Sequence, residues 1–481
     1  MKIVHIINEI GCGGASRTTI DLHLGLRQSG VESFLLTRGG LKEYTTVPHC
    51  EYYPYLEQRD IFWQAYSLLV KIKQPAVSGV SFCLDLFGCD LTRHPLVREA
   101  DILHLHCHAG FLSSASIAKL GALNKPFFWT VHDMHPLTGG CHQLGGCDRF
   151  TETCGECPQL DDESLNFTAQ NLTALSSAVA AAKPIFVAPS QKILQLVRKS
   201  RVSRESISYC IPNGVNCNIF KPLEKNACRD KLNLEKDAWY ILFTARDILD
   251  PNKGAIHALE ILEVIRQYPL TAKAVASGKM RVLCCGVNAN YFQPQGWQVA
   301  QFGYVSADKM PLIYNSADLF LFTSREEAFG NVVSEAMACG TPVVAHKVGG
   351  AIELLESEPL SSCLVNIGDT DEAVALIVRL FQNKQFYQKL STLSVNRIRQ
   401  NYSLEKQAAS YRELYVNRLT EQSSSAIPIL SSVSPIQEGA KEALLYAIEK
   451  MEAQIEKMHA AAEKLKNRVH QSTATTQDTY S

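Results

Sequence analysis

The chain has 481 residues, 46% hydrophobic and 20% charged, with 47 Lys plus Arg against 48 Asp plus Glu and a formal net charge of -1. This apolar content excludes a wholly disordered chain, and the charge balance gives no overall steering toward nucleic acid. At about 150 residues per domain, the length allows two to four domains.

The first segment, Met-Lys-Ile-Val-His-Ile-Ile-Asn-Glu, is broken by His5, Asn8 and Glu9 and runs into glycines. It is a poor secretory signal and reads instead as a buried strand over residues 2–7. No apolar run approaches the roughly 18 residues needed to cross a bilayer. The protein is therefore expected on the cytoplasmic side, and its 16 cysteines as reduced thiols or, where they cluster, as metal ligands.

A glycine turn at residues 11–14 leads into a helical pattern over 16–28, stopped by Gly30, and then a strand over 33–37. The rhythm continues with strands at 102–106, Phe127–Thr130 and Ile185–Ala188. It restarts after a polar, proline-marked stretch with strands at 240–244, 281–285, Leu319–Phe322 and 342–345. Alternation of strand and helix implies parallel sheets covered on both faces. The expected architecture is α/β: two doubly wound, Rossmann-like domains joined near 205–236. One spans residues 1–205 and is completed by a helix over 402–420; the other spans 206–401. Ligands in such sheets sit beyond the carboxyl ends of the strands, which places the site in a cleft between the domains.

Residues 421–439 are Ser-rich and broken by Pro428 and Pro435, a flexible linker. Over 440–470 the apolar positions Leu444, Ile448, Met451, Ile455, Met458, Ala462, Leu465 and Val469 alternate spacings of four and three. That is a coiled-coil seam, and its mix of β-branched residues with Leu or Met favours a parallel pair and a homo-oligomer. A single amphipathic helix docked on the body is the alternative. Residues 471–481 read as disordered.

The strongest motif is Ser324-Arg-Glu-Glu-Ala-Phe-Gly-Asn-Val-Val-Ser-Glu-Ala-Met-Ala-Cys-Gly-Thr-Pro-Val-Val-Ala. If Asn331–Ala338 begins a helix, Glu335 projects from its first turns and Glu327 lies in the loop before it. The free amides of a helix N-terminus suit an anion, a carboxylate suits sugar hydroxyls, and Gly330 lets backbone approach a ligand. The plain alternative, acidic residues favoured by the helix dipole, accounts for one glutamate but not for the spaced string.

This run resembles the E-x7-E signature of retaining glycosyltransferases of family four, which have the GT-B fold. The glycine turn at Gly13 and Gly14, Ala100-Asp-Ile-Leu-His-Leu-His, Trp129-Thr-Val-His-Asp and Ile211-Pro-Asn-Gly-Val-Asn match further segments of that family in order, although Asn216 replaces its usual aspartate. Arg246 and Lys253-Gly254 match its basic pair. The resemblance covers residues 1 to about 420. It implies that Arg246 and Lys253 bind the donor diphosphate, where cations stabilise the charge of the leaving group. By the same resemblance Glu335 holds the nucleotide ribose and Glu327 the transferred sugar. Backbone amides near Phe329, Gly330 and Asn331 contact sugar or phosphate, Gly14 leaves room for ligand, and His132 contacts the donor sugar near the reacting centre. No covalent nucleophile and no catalytic metal are implied.

Cys141, Cys147, Cys154 and Cys157 fall within one short segment ending Cys-Gly-Glu-Cys-Pro. Four thiolates with glycine turns at Gly145, Gly146 and Gly155 suit a structural zinc; disulfides and free thiols remain alternatives. A similar segment occurs in the exopolysaccharide and colanic-acid-type subset of the family. His135 and His142 are substitute ligands, and the loop is expected to shape the acceptor side of the cleft. His104, His106 and His108 alternate along one strand and are read as cleft-lining. Lys192, Arg198, Lys199, Arg201 and Arg204 form a basic patch: a solvated helix face by default, or a contact for an anionic membrane or lipid-diphosphate acceptor.

The resulting expectation is a cytoplasmic, retaining, metal-independent glycosyltransferase, peripheral to the inner face of the membrane if its acceptor is lipid-linked. It would move a sugar from a nucleotide-sugar donor to a saccharide or lipid-linked acceptor in envelope polysaccharide or lipopolysaccharide synthesis. The competing reading is an inactive glycosyltransferase-like assembly factor that oligomerises through its tail. A sugar-nucleotide epimerase or phosphorylase on the same fold fits the motif series less well.

Overall fold

A computed structural model describes residues 1–11, 13–40, 47–53, 82–85, 88–160 and 166–424. The proposed coiled coil over 440–470 and the tail beyond it lie outside the described residues.

The first sheet contains β1 (Lys2–Ile10), β2 (Glu32–Gly40), β3 (Cys50–Tyr52), β4 (Ile102–Leu105), β5 (Phe127–Thr130), β6 (Ile185–Ala188) and β7 (Ser208–Cys210), in the order β3-β2-β1-β4-β5-β6-β7. The second contains β8 (Trp239–Asp247), β9 (Met280–Val287), β10 (Val299–Phe302), β11 (Leu319–Phe322), β12 (Val343–His346) and β13 (Leu364–Val365), in the order β10-β9-β8-β11-β12-β13. Neighbouring strands pair in parallel in both sheets. The central strands β4, β5, β6, β11 and β12 are buried along their whole length, which is why they read as continuous apolar runs.

Each sheet reverses its winding once, between β1 and β4 in the first and between β8 and β11 in the second. Such a switch point opens a crevice beyond the strand ends. The first crevice is edged by Gly13, Gly14 and His132, and the second by Arg246, Lys253 and Glu327.

The two faces of the first sheet have different covers. Val4, Leu103, Leu105 and Trp129 pack against Ile117, Leu172 and Leu175, from the helices Ser114–Gly121 and Phe167–Ala182. Ile3, Ile102, Phe128 and Ile185 pack against Ala408, Tyr411 and Tyr415, from the helix Leu404–Ser424. The end of the chain thus returns to the first domain. Tyr411 and Tyr415 are also fastened by their hydroxyls to Thr130 Oγ1 at 2.8 Å and His104 Nδ1 at 2.7 Å.

Two expected boundaries shift. The first sheet continues past residue 205, because β7 pairs with β6; a three-residue edge strand, Ser-Tyr-Cys, carries no apolar run to reveal it. The closing helix continues to Ser424, into the stretch expected to be linker. The edge strands β3, β10 and β13 were likewise unexpected. At its centre the pattern agrees with expectation: β5, β6, β11 and the helix Asn331–Ala338 have the anticipated bounds.

Candidate active site

Between the two switch points lies an 840 Å³ cavity lined from one side by Gly14 and His132 and from the other by Arg246, Lys253 and Glu327. It adjoins a 220 Å³ cavity lined by these same residues together with Phe329, Gly330 and Asn331. Eight of the nine expected residues therefore line these cavities, and Glu335 does not.

Lys253 ends a short 3-10 turn after β8, capped by Asp250, whose side chain accepts from Asn252 N. Gly254 follows with φ +69; a Cβ there would stand 1.9 Å from the carbonyl oxygen of Thr323. This close approach seats Lys253 against β11. Its Nζ meets Glu327 Oε1 at 2.5 Å, and Ser324 Oγ also donates to Glu327 Oε1 at 3.4 Å. Burial alone would lower the Lys253 pKa, but the charge and hydrogen bond of Glu327 outweigh it and raise it. Arg246, exposed at the end of β8, lines both cavities and makes no ion pair among the described residues.

Asn331 starts its helix directly after Gly330, which has φ +92. Its side chain ties three segments: Nδ2 donates to Thr18 Oγ1 at 3.0 Å, and Oδ1 accepts from Asn213 Nδ2 at 3.0 Å. Phe329 is 2% exposed and packs in the core of the second domain. Gly14 opens the helix Gly14–Gln28, and a Cβ there would lie 3.6 Å from Asn331 Nδ2, so the glycine leaves space in the cleft.

Glu335 stands apart. It is 4% exposed, its Oε1 accepts from Arg17 Nη2 at 2.6 Å, and its Oε2 accepts from the Tyr314 hydroxyl at 2.9 Å. Arg17 had no signal in the sequence beyond its place in the first helical turn after Gly14. Glu326 was missed as well: its carboxylate accepts from the backbone amides of Leu144 and Gly145 at 2.8 and 3.1 Å, joining the cysteine loop to the second domain.

His132 is half-buried, and its Nε2 lies 2.9 Å from His106 Nδ1. Burial lowers its pKa to about 4, against the upward pull of Asp133. Asp133 is itself held by His142 at 2.9 Å. The expected cleft-lining role of His104, His106 and His108 is corrected: they are 0%, 1% and 1% exposed. His104 lies in β4, a central strand covered on both faces, and His106 and His108 lie on the buried segment just beyond it, so their side chains must find partners inside. His104 bonds Thr130 and Tyr415, His106 bonds His5 and His132, and His108 bonds Asp85.

Cys147, Asp148, Phe150 and Thr151 of the cysteine loop line the 840 Å³ cavity. Burial pushes the Cys141 thiol up to about 12, and Cys154, Cys157 and Cys147 are near enough to add to the shift. A zinc tetrahedron requires sulfurs about 3.8 Å apart. Among the described residues, the ligating groups that converge within 4.8 Å are His5, His104 and His106, and Asp85, His108 and His135; the four cysteines do not form such a group.

Residues 12–219 match a family model described as Glycosyltransferase Family 4, and residues 239–383 match one described as Glycosyl transferases group 1. The chain is 28% identical over 239 residues to a lipopolysaccharide 1,2-N-acetylglucosaminetransferase of Salmonella typhimurium, covering 48% of this chain and 61% of that protein. It is 27% identical over 253 residues to a D-inositol 3-phosphate glycosyltransferase of Segniliparus rotundus, covering 50% of this chain and 52% of that protein. The matched stretch thus spans about half to three-fifths of these relatives. Among solved structures, Anabaena Alr3699/HepE in complex with UDP and glucose superposes with a TM-score of 0.57 at 17% identity, covering 87% of this chain and 100% of that one. A likeness at this identity establishes the shared two-domain GT-B fold.

Proposed function

We propose that this chain, a glycosyltransferase of the GT-B type by its fold and by the family models that its two halves match, transfers a sugar from a nucleotide-sugar donor. The acceptor is a saccharide or lipid-linked saccharide of cell-envelope polysaccharide or lipopolysaccharide. The observation that carries this reading is the Lys253–Glu327 pair, which faces His132 across one cavity with Arg246 beside it. Arg246 and Lys253 would take the donor diphosphate and stabilise the charge it gains as the glycosidic bond breaks. Glu327 and the amides after Phe329 would hold the sugar, and His132 would approach it from the first domain. Transfer is proposed to be retaining and to need no metal.

Two features support a lipid-linked acceptor. The cavity wall formed by the helix Gln191–Lys199 presents Lys192 and Lys199 with Leu196 between them, and Arg325 faces them from the second domain. Beside Arg325 and Ile367 the cavity meets a 470 Å³ groove lined by Leu249, Ile256 and Tyr291, which are 56%, 73% and 65% exposed. Cations next to an apolar groove suit an amphiphile with an anionic head. Among the described residues no helix is long and apolar enough to cross a membrane, so contact with a membrane surface would be peripheral.

Screening nucleotide sugars for thermal stabilisation and donor hydrolysis tests the central reading. One nucleotide sugar should raise the melting temperature and be turned over. Absence of both effects across the common donors would favour the inactive assembly factor instead.

Two further proposals stand beside it. The four cysteines bind a structural zinc after the loop contracts, and metal analysis of anaerobically purified protein should find about one zinc per chain. Residues 440–470 pair two chains, and removing residues 425–481 should lower the solution mass without abolishing turnover; an unchanged oligomeric state would end that idea.

A further inference from the structure

The histidine that lines the cleft is held from behind by two others. His132 Nε2 stands 2.9 Å from His106 Nδ1, and His106 Nε2 stands 2.9 Å from His5 Nδ1. The rings come from distant positions in the chain and meet because β4 pairs with β5 on one side and β1 on the other. His5 and His106 are 0% and 1% exposed. Burial lowers the pKa of all three rings, so each is neutral at neutral pH.

A neutral imidazole has one N–H and one lone pair. Each ring-to-ring bond therefore has only two polarities, and each ring passes its polarity to the next. The far end decides between them. His5 Nε2 is buried without a hydrogen-bond partner. If the row ran toward His5, that nitrogen would carry a buried N–H with no acceptor, an arrangement folded proteins rarely tolerate. Run the other way, His5 Nδ1–H donates to His106, His106 Nδ1–H donates to His132 Nε2, and the His132 proton sits on Nδ1.

We propose that His5 and His106 are positioning residues that fix His132 as its Nδ1–H tautomer, so that its remaining ring nitrogen offers the cleft a hydrogen-bond donor. Its partner would be an electron-rich oxygen of the bound ligand. The opposite tautomer would offer a lone pair and would require a hydroxyl proton in return. Identifying the ligand as a donor sugar rests on the transferase reading, but the tautomer does not. A metal among His5, His104 and His106 is the competing explanation of the cluster. Against it, His104 already spends both nitrogens on Thr130 Oγ1 and Tyr415, each at 2.7 Å. The His5 and His106 nitrogens also touch at 2.9 Å, a hydrogen-bond length, whereas nitrogens sharing a tetrahedral zinc lie about 3.3 Å apart.

The test uses the full chain with ¹⁵N-labelled histidine and no substrate. Long-range ¹H–¹⁵N correlation reads each tautomer, with His132 assigned by the signal lost in His132→Gln. The expected spectrum shows His132 protonated at Nδ1; protonation at Nε2 overturns the proposal. In the variant His106→Leu, His132 should lose this tautomer, and kcat should fall on the order of 10- to 100-fold with donor KM changed by less than about threefold. His106→Asn, whose amide nitrogen takes the place of Nδ1 and can still donate to His132 Nε2, should recover most of the loss. A folded Asn variant as poor as the Leu variant, or a Leu variant with wild-type kcat, overturns the proposal. Should His106→Leu fail to fold, the wild-type spectrum and the Asn variant decide. An Nδ1–H spectrum in a chain that uses no sugar nucleotide would sink the transferase reading alone.

Discussion

Arg17 Nη2 stands 2.6 Å from Glu335 Oε1, an ion pair between the helix that follows β1 and the helix that follows β11. The carboxylate assigned by resemblance to the nucleotide ribose is thus already matched by a cation from the opposite domain, and Tyr314 takes its other oxygen. Each oxygen keeps a lone pair that a ribose hydroxyl could use, but at 4% exposure Glu335 is reached only if a covering side chain such as Arg17 moves. Removing one partner of a buried pair strands the other charge, which costs about 3 kcal/mol. Arg17→Ala should therefore lower the melting temperature markedly, and adding Glu335→Gln should restore part of the loss. A double-mutant cycle on thermal unfolding measures this coupling; strictly additive effects would mean that the contact stabilises nothing.

Lys253 and Glu327 pair at the cavity wall, 26% and 18% exposed. Exposure of this kind limits their contribution to folding to about 1 kcal/mol, while groups aimed at developing charge contribute far more to a transition state. Lys253→Ala and Glu327→Ala should each lose about 100-fold or more in transfer and shift the melting temperature little. Steady-state kinetics beside calorimetry checks this, and near-normal transfer in either variant would displace the site from this wall.

Asp21 lies one turn after Arg17. Burial raises its pKa from 3.8 to about 6, against the lowering pull of Arg17 and with a further rise from Glu335. The folded state then holds this proton more tightly than the unfolded one. Stability is lost as pH climbs from about 4 to about 6 and stays lost above. Asp21→Asn should be more stable than the native chain at pH 7.5, by up to about 3 kcal/mol, because the rise to about 6 already includes the attraction to Arg17. The difference should vanish near pH 4. Melting temperatures at the two pH values measure it, and a variant less stable at pH 7.5 would refute the assignment.

Gly349 has φ +47, and a Cβ there would stand 2.1 Å from the carbonyl oxygen of Glu327. Gly349→Ala must push the Glu327 backbone away, and a displacement near 1 Å can cost about 100-fold in rate. Gly30 has φ +81 with no atom within 4 Å of such a Cβ. Gly30→Ala should therefore carry only the backbone strain, roughly 1 kcal/mol, and keep its turnover. Comparing kcat with melting temperature in the two variants separates displacement from strain; equal kcat would show that the contact does not place Glu327.

The sequence read best where packing is uniform. Phe127–Thr130, Ile185–Ala188 and Leu319–Phe322 are buried at every residue, so their apolar runs stand out from any neighbour. Edge strands such as Ser208–Cys210 bury little and leave no such trace. The spacing of the paired glutamates stands out within one loop and helix start, whereas the basic pair Arg246 and Lys253 was legible only through the family resemblance. Arg17, Asn213 and Glu326 were not, since each acts on a partner 118 to 318 residues away.

The amino-acid string alone thus determined two parallel sheets and the chain order of their inner strands, because periodicity and turn chemistry are short-range, and its resemblance to a family marked the residues at the ends of β8 and β11. Only the folded chain decided which strand lies beside which, and with it that His5, His106 and His132 form one hydrogen-bonded row and that Arg17 closes on Glu335. The reason is directional: a hydrogen bond depends on separations of about 3 Å, and residues so far apart in the chain come that close only after the sheets have been laid down and the domains have met.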